Sequence, residues 1–230
     1  LPLQETLFCA IQKVYSQLSS RRAHGLFQNA TERGQIEHAP NFNQPSILFR
    51  NPEITSILHE LVTLSALPVA GIEVDFAVDS TGFRTTQFSA YNGVKHGQKK
   101  EHHWVKAHLC AGVKTNVVAA VAITDENGGD SPQFGPLVKK TAEGFKINEV
   151  SADLAYSSRL NLQLVANEGG KAYIPFKKNA TGKSRGSMLW SKMYHYFQLN
   201  RDDFMEHYHK RSNIEATNAA IKRKFGETLK

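Results

Sequence analysis

Residues 72–79 read Ile72-Glu73-Val74-Asp75-Phe76-Ala77-Val78-Asp79, and this stretch decides the fold class. Apolar side chains alternate with acidic ones, and β-branched and aromatic residues dominate. That is the period-two pattern of a strand with two unlike faces. It is expected to close on Asp79, because Ser80-Thr81-Gly82 follows. Further strands are expected at Phe83 to Tyr91, Trp104 to Val113 and Asn116 to Thr124, in hairpin-like succession. Asn127-Gly128-Gly129-Asp130 reads as a turn, and Ser131-Pro132 opens a helix running to about Ala142. Ile147 to Ala152 is a short strand of buried type. Ser157 to Asn167 is a helix stopped by Gly169-Gly170, and Lys171 to Phe176 is another strand. Antiparallel strands followed by βαβ units imply an α/β fold, a mixed sheet with helices on both faces.

Upstream, Leu7, Phe8, Ile11, Val14, Tyr15 and Leu18 give a helical period to Glu5 through Ala23. His24 to Arg50 is polar, rich in Asn and Gln, and reads as a linker or irregular loop. Asn51 as cap, Pro52 at the first helical position and Glu53 in the first turn announce a second helix. Its apolar positions are Ile54, Ile57, Leu58, Leu61 and Leu64. Residues 1–70 are therefore expected to form a helical amino-terminal segment, and 71–230 the sheet domain. Downstream, Asn179 to Gly186 is a polar, basic loop, and from Ser187 the pattern is helical nearly to the end.

The 230-residue chain is 40% hydrophobic and 21% charged, the composition of a soluble globular protein. Its longest clean apolar run, Val117 to Ile123, is too short for a bilayer. Leu1 to Tyr15 lacks the basic start and cleavage site of a signal peptide. Two cysteines, Cys9 and Cys110, argue against a disulfide framework, so a reducing, cytoplasmic compartment is expected. The chain begins with Leu and ends soon after a helix, which suggests a piece of something longer. The net charge is +7, but residues 171–230 hold 13 basic and 5 acidic side chains, while residues 1–170 are almost balanced. An asymmetry of this kind suits either a solvated basic face or a polyanion partner, of which nucleic acid is the commonest.

Two aspartates, Asp79 and Asp153, are expected at strand ends. Such carboxylates can converge at a sheet edge, the geometry hard cations require; singly, each is also an ordinary turn or cap residue. Tyr208, Arg211, Glu215 and Lys222 are spaced to share one face of a helix, beside an apolar stripe of Ile214, Ile221 and Phe225. A plain salt-bridge row from Arg211 to Glu215 fits that spacing too. His102-His103 and His207 with His209 give no closed zinc set and read as surface or DNA-facing imidazoles. His108, on a strand, reads as a satisfied, semi-buried residue rather than a ligand, and Cys110 as a core residue. Trp190, at helical spacing with Met193 and Phe197, reads as core more readily than as a base-stacking platform.

Taken together, Val78-Asp79-Ser80-Thr81, Ala152-Asp153-Leu154-Ala155-Tyr156 and the Tyr208, Arg211, Glu215, Lys222 row resemble the catalytic domain of DDE transposases of bacterial and archaeal insertion sequences. The likeness runs from about Ile72 to Phe225. Lys106-Ala107-His108, Gly129-Asp130-Ser131 and Tyr173-Ile174-Pro175-Phe176-Lys177 also look similar. Departures are Ala155, where many members carry Gly; a gap of 62 residues from Asp153 to Glu215, which leaves room for only a small insertion; and the short segment of residues 1–70, which would be a remnant of the amino-terminal DNA-binding region that members usually carry.

The resemblance implies an RNase H-like fold and metal-dependent DNA nicking with transfer of 3′-hydroxyl ends. Asp79, Asp153 and Glu215 would be the catalytic and metal-binding carboxylates, holding two Mg²⁺ ions for which Mn²⁺ can substitute. It also implies phosphate contacts by Tyr208, Arg211 and Lys222. The basic last quarter would line the DNA path, with Lys177, Lys178, Lys183 and Arg185 as backbone clamps or, alternatively, as a merely solvated loop. The partners implied are transposon-end and target DNA, bound by a homodimer on paired ends, in a nucleoid-associated setting. Two alternatives stay open: a catalytically inactive or domesticated DNA-binding remnant, and an RNase H-like nuclease without joining activity.

Overall fold

A computed structural model describes residues 2–85 and 104–229 of the chain. They form two compact units, Leu1–Leu58 and His59–Lys230.

In the first unit, α1 (Leu3–Ser16) and α2 (Ser20–Glu32) replace the single helix expected over Glu5 to Ala23. The break falls at Gln17, whose φ of 55° is left-handed and ends α1. The second helix runs well into the segment read as irregular, and α3 (Gln44–Leu48) occupies more of it. Helix α2 escapes a periodicity reading because its buried side is only Ala23, Phe27 and Ala30 amid polar residues. These three, with Cys9 and Ile36, make the small core of this unit.

Helix α4 (Ile54–Ala66) starts later than Asn51 and Pro52 suggest. The Asn51 side chain instead accepts from the amide of Glu53 in the turn before it, at 3.0 Å.

The second unit is built on a five-stranded sheet. Its strands are β1 (Asp75–Arg84), β2 (Trp104–Gly112), β3 (Val118–Asp125), β4 (Glu149–Ala152) and β5 (Lys171–Tyr173). The order is β3-β2-β1-β4-β5. The first three strands pair antiparallel, while β4 pairs parallel with both β1 and β5. This is the mixed sheet expected, in RNase H-like order. Strand β1 does not stop at Asp79: Ser80 to Arg84 continue the ladder, opposite His108 to Trp104. Phe83 and Arg84 therefore belong to β1, and the rest of the strand expected up to Tyr91, with His102 and His103, lies outside the described residues.

Helices α5 (Asp130–Ala142) and α6 (Arg159–Asn167) cover one face of the sheet. Phe76, Val78, Cys110, Val150 and Ala152 bury there against Phe134, Leu137 and Leu162. The basic carboxyl-terminal region forms α7 (Met188–Leu199), α8 (Arg201–His209) and α9 (Ser212–Phe225). Trp190, Met193, Phe197 and Phe204 extend the main core, so the core reading of Trp190 holds. Helix α9 covers the opposite face, where Ile214 buries with Ala77, Ala107, Leu109 and Ala111. After α9 the chain returns to the end of β1, where the amide of Arg84 donates to the carbonyl of Glu227 at 2.8 Å. Among the described residues no helix is long and apolar enough to cross a membrane.

Candidate active site

Strand alternation sorts β1 into two sets. Phe76 and Val78 enter the α5 side, while Asp75, Ala77 and Asp79 face α9. Val78 pairs with Ala152 in parallel register, and that is the last pair of the β1–β4 ladder. Asp79 and Asp153 are each one residue further on, so they stand on adjacent strands just past that pair. Asp153 leaves the sheet into a single 3₁₀ turn, Leu154–Tyr156, and one of its oxygens accepts from the amide of Leu154 at 2.6 Å.

Glu215 arrives from α9. The row of Tyr208, Arg211, Glu215 and Lys222 is not on one continuous helix, however. Helix α8 ends at His209, Lys210 closes it, and Arg211 is the residue before α9. Arg211 still joins the row to the strand. Its Nη1 lies 2.5 Å from Glu215 Oε1 and its Nη2 lies 3.6 Å from Asp79 Oδ1. Asn218, one turn further along α9, donates to Asp79 Oδ2 at 3.1 Å.

Burial raises the pKa of Asp79 above its ordinary value, and the negative charges of Glu215 and Asp153 add to this. Arg211 and the Ser80 amide oppose the rise without cancelling it. Burial likewise opposes the charge of Arg211, yet Asp79 and Glu215 together hold its pKa above the usual range. A guanidinium thus stands between two of the three expected carboxylates. Among the described residues no group of three His, Cys, Asp or Glu side chains converges on one point.

The donor set still suits a hard cation. It is all oxygen, two carboxylates stand side by side, and Mg²⁺ is often held by one or two carboxylates plus substrate phosphate. The pKa of Asp79 is raised first by burial and then by Glu215 and Asp153, and a cation bound beside it would oppose that rise.

The other expected contacts are spread around this edge. Tyr208 is half-buried, and burial raises its pKa while Arg211 opposes the rise. The Lys222 ammonium lies 5.7 Å from the centre of the Phe83 ring. Lys177, Lys178, Lys183 and Arg185 are exposed on the loop between β5 and α7. That loop is fastened by a residue the sequence did not single out. Arg159 donates to the carbonyls of Lys183 and Ser184 at 3.1 and 3.3 Å, and its guanidinium lies 4.4 Å from the Trp190 ring centre.

On the α5 side, Lys106, His108 and Asp130 meet: the Lys106 ammonium is 3.5 Å and the His108 Nδ1 3.7 Å from Asp130 Oδ1. His108 is fully buried, its Nε2 hydrogen-bonded to Thr124 at 2.9 Å, and burial lowers its pKa. Burial also raises the pKa of the Tyr156 hydroxyl, with Asp130 and Asp79 adding to the rise.

His207 is not the surface imidazole expected: it stacks on Tyr173 at 4.3 Å and 12°, and its Nδ1 meets the Glu149 carboxylate at 2.9 Å. Nothing in the local pattern marks it, because Tyr173 and Glu149 are distant in sequence.

A family model described as "Transposase DDE domain" matches residues 71–230. A curated protein of Archaeoglobus fulgidus, "Probable transposase for insertion sequence element ISA1214", is 28% identical over 179 residues, covering 78% of this chain and 53% of its own length. A cryo-EM structure of piggyBac transposase synaptic complex with hairpin DNA aligns over 79% of this chain and 44% of that one, at 11% identity and a TM-score of 0.35. The chain spans about half the length of these proteins.

Proposed function

The chain belongs to the transposase DDE-domain family, and from that premise we propose that its second unit is a metal-dependent DNA nicking and strand-transfer centre. The observation that supports this best is the placement of Asp79 and Asp153 side by side past the Val78–Ala152 pair, with Glu215 tied to Asp79 through Arg211.

Asp79 and Asp153 would hold divalent cations, Mg²⁺ or Mn²⁺, and Glu215 would complete the shell of one of them once released from Arg211. Bound there as a pair, such ions would lower the pKa of the attacking water or 3′-hydroxyl and neutralise charge on the leaving oxygen. The protein's own groups do the rest. Arg211 exchanges its carboxylates for a phosphate near the scissile bond, which its planar fork can grip with two hydrogen bonds. Tyr208 and Lys222 hold neighbouring phosphates, Lys222 as a point charge. Lys177, Lys178, Lys183 and Arg185 clamp the backbone further along, a sequence-independent interaction. DNA affinity should therefore fall steeply with salt. A homodimer on paired DNA ends, in the cytoplasm with the nucleoid, is the working assembly this reading assumes.

The test is nicking of end-labelled DNA in Mg²⁺ or Mn²⁺ by the chain and by its Asp153→Ala variant. Equal rates would remove the catalytic assignment and leave a DNA-binding remnant. Cleavage with no joining of 3′-hydroxyl ends would make the chain a nuclease outside transposition.

A further inference from the structure

Strands β1 and β4 carry a second acidic pair on the face that holds Asp79 and Asp153. Asp75 and Glu149 are partners in the parallel register. Each stands four residues before its counterpart, so the two pairs are about 13 Å apart along the strands.

The upstream pair is already filled by a cation of the chain itself. The Lys210 ammonium donates to Asp75 Oδ2 at 2.9 Å and to Glu149 Oε2 at 2.7 Å. Both carboxylates are largely buried, with side chains 12% and 13% exposed. Asn148 donates to the other oxygen of Asp75 at 3.0 Å, and His207 sits on Glu149.

Lys210 occupies the break between α8 and α9, immediately before Arg211. From there α9 runs in step with β1. Lys210 bonds Asp75, Ile214 buries with Ala77, and Asn218 bonds Asp79. The matching is metric. Four helical residues rise about 6.0 Å, and two strand residues advance about 6.6 Å. Three successive positions on one face of β1 therefore meet Lys210 in the break and then two successive turns of α9. The apolar middle rung is permissive, since Ile214 could pack on a neighbouring alanine. The ionic rung is not, because a slip of one turn would leave Lys210, Asp75 and Glu149 as unpaired, half-buried charges.

We propose that Lys210 is a positioning residue for the reaction: by bridging Asp75 and Glu149 it sets the register of α9 on β1, and so the place at which Arg211, Glu215 and Asn218 meet Asp79. The inference rests on the reading of Asp79, Asp153 and Glu215 as the catalytic set. It assigns Lys210 no contact with DNA or with a reacting atom.

The test compares the chain with Lys210→Met, Lys210→Arg and the triple variant Asp75→Asn/Glu149→Gln/Lys210→Met, using single-turnover nicking at saturating DNA and DNA affinity. Lys210→Met should nick about 10²-fold more slowly, the scale of a 1 Å misplacement, with DNA affinity within about 3-fold, since no phosphate contact is removed. Lys210→Arg, which keeps the bridging charge, should recover most of the rate. The triple variant leaves no charge unpaired, so it should melt close to the parent and still nick as slowly as Lys210→Met. A triple variant that nicks at the parent rate overturns the proposal, since Lys210 would then be charge compensation alone. If Asp153→Asn nicks as fast as the parent, it is the reading of the catalytic set that fails instead.

Discussion

Replacing Asp79 with Asn should remove nicking and at the same time make the metal-free protein more stable near neutral pH. The carboxyl of Asp79 is raised above its ordinary value of 3.8, burial being the largest cause. Folding therefore favours its protonated form. Stability from this group is fully present below the unfolded pKa and is lost as pH rises through the folded one. At neutral pH the folded chain holds a half-buried carboxylate that it would be more stable without.

Against this stands the attraction of Arg211, which the substitution removes. That ion pair is 3.6 Å long, and Arg211 keeps its closer partner Glu215 at 2.5 Å. Asn218 can still donate to the amide oxygen that the substitution provides. The expected gain is about 0.5–2 kcal/mol, the usual size of a single stabilising substitution. For a unit of this length that corresponds to about 1–8 °C in melting temperature.

The assay is thermal unfolding in EDTA from pH 4 to pH 7.5. The difference between Asp79→Asn and the parent should be small at the acid end and widen towards neutrality. A variant that melts lower than the parent at pH 7.5, or a difference independent of pH, would refute the idea that Asp79 is held in an unfavourable charged state. Adding Mn²⁺ should then raise the parent alone.

Glu73 offers a stability test away from the site: it is fully buried, and one oxygen accepts from the Lys114 amide, the Thr115 amide and the Thr115 hydroxyl at 2.9–3.0 Å. Glu73→Ala strands those donors at the β2–β3 turn and should cost about 3 kcal/mol, read as a lower urea midpoint. Lys177→Ala with Lys178→Ala should weaken DNA binding at every sequence tested. It should also flatten the plot of log affinity against log salt by about 0.9 for each phosphate no longer neutralised; an unchanged slope in fluorescence anisotropy would detach that loop from the DNA path. Arg159→Ala should cost about 1 kcal/mol by removing its stacking on Trp190 and speed proteolysis between Lys177 and Ser187. Unaltered cleavage there would mean the loop is held by other bonds, such as that from Trp190 Nε1 to the Thr181 carbonyl at 2.8 Å.

Much of this geometry is legible in the sequence because it depends on local period. The strand character of Asp75 to Val78, the short buried β4 and the helix between β4 and β5 follow from two-fold and 3.6-fold apolar spacing. What stays hidden depends on partners remote in the chain. Ser80-Thr81-Gly82 has turn composition, yet these residues pair with His108, Ala107 and Lys106. The strand opposite them makes extension more favourable than turning. The break at Lys210 and Arg211 has no signal either, since both residues keep right-handed helical angles and neither is Gly or Pro. In the other direction, the Arg211–Glu215 spacing correctly anticipates their hydrogen bond, which is purely local.

The two acidic pairs on β1 and β4 illustrate how a protein can keep one charge site permanent and another exchangeable with the same residue types. At Asp75 and Glu149 the cation is a lysine ammonium at 2.7–2.9 Å, further confined by Asn148 and His207. Removing it would leave two largely buried carboxylates without their ammonium partner, which costs several kcal/mol. Among the described residues, the cation paired with Asp79 is a guanidinium at 3.6 Å whose short bond is to the more exposed Glu215. Breaking that long ion pair costs little, and the carboxyl remains raised even with Arg211 beside it. Asp79 is therefore the carboxylate with the looser cation partner. The proposed function places the metal at the pair of Asp79 and Asp153, and the proposed role of Lys210 explains why the other is closed to it.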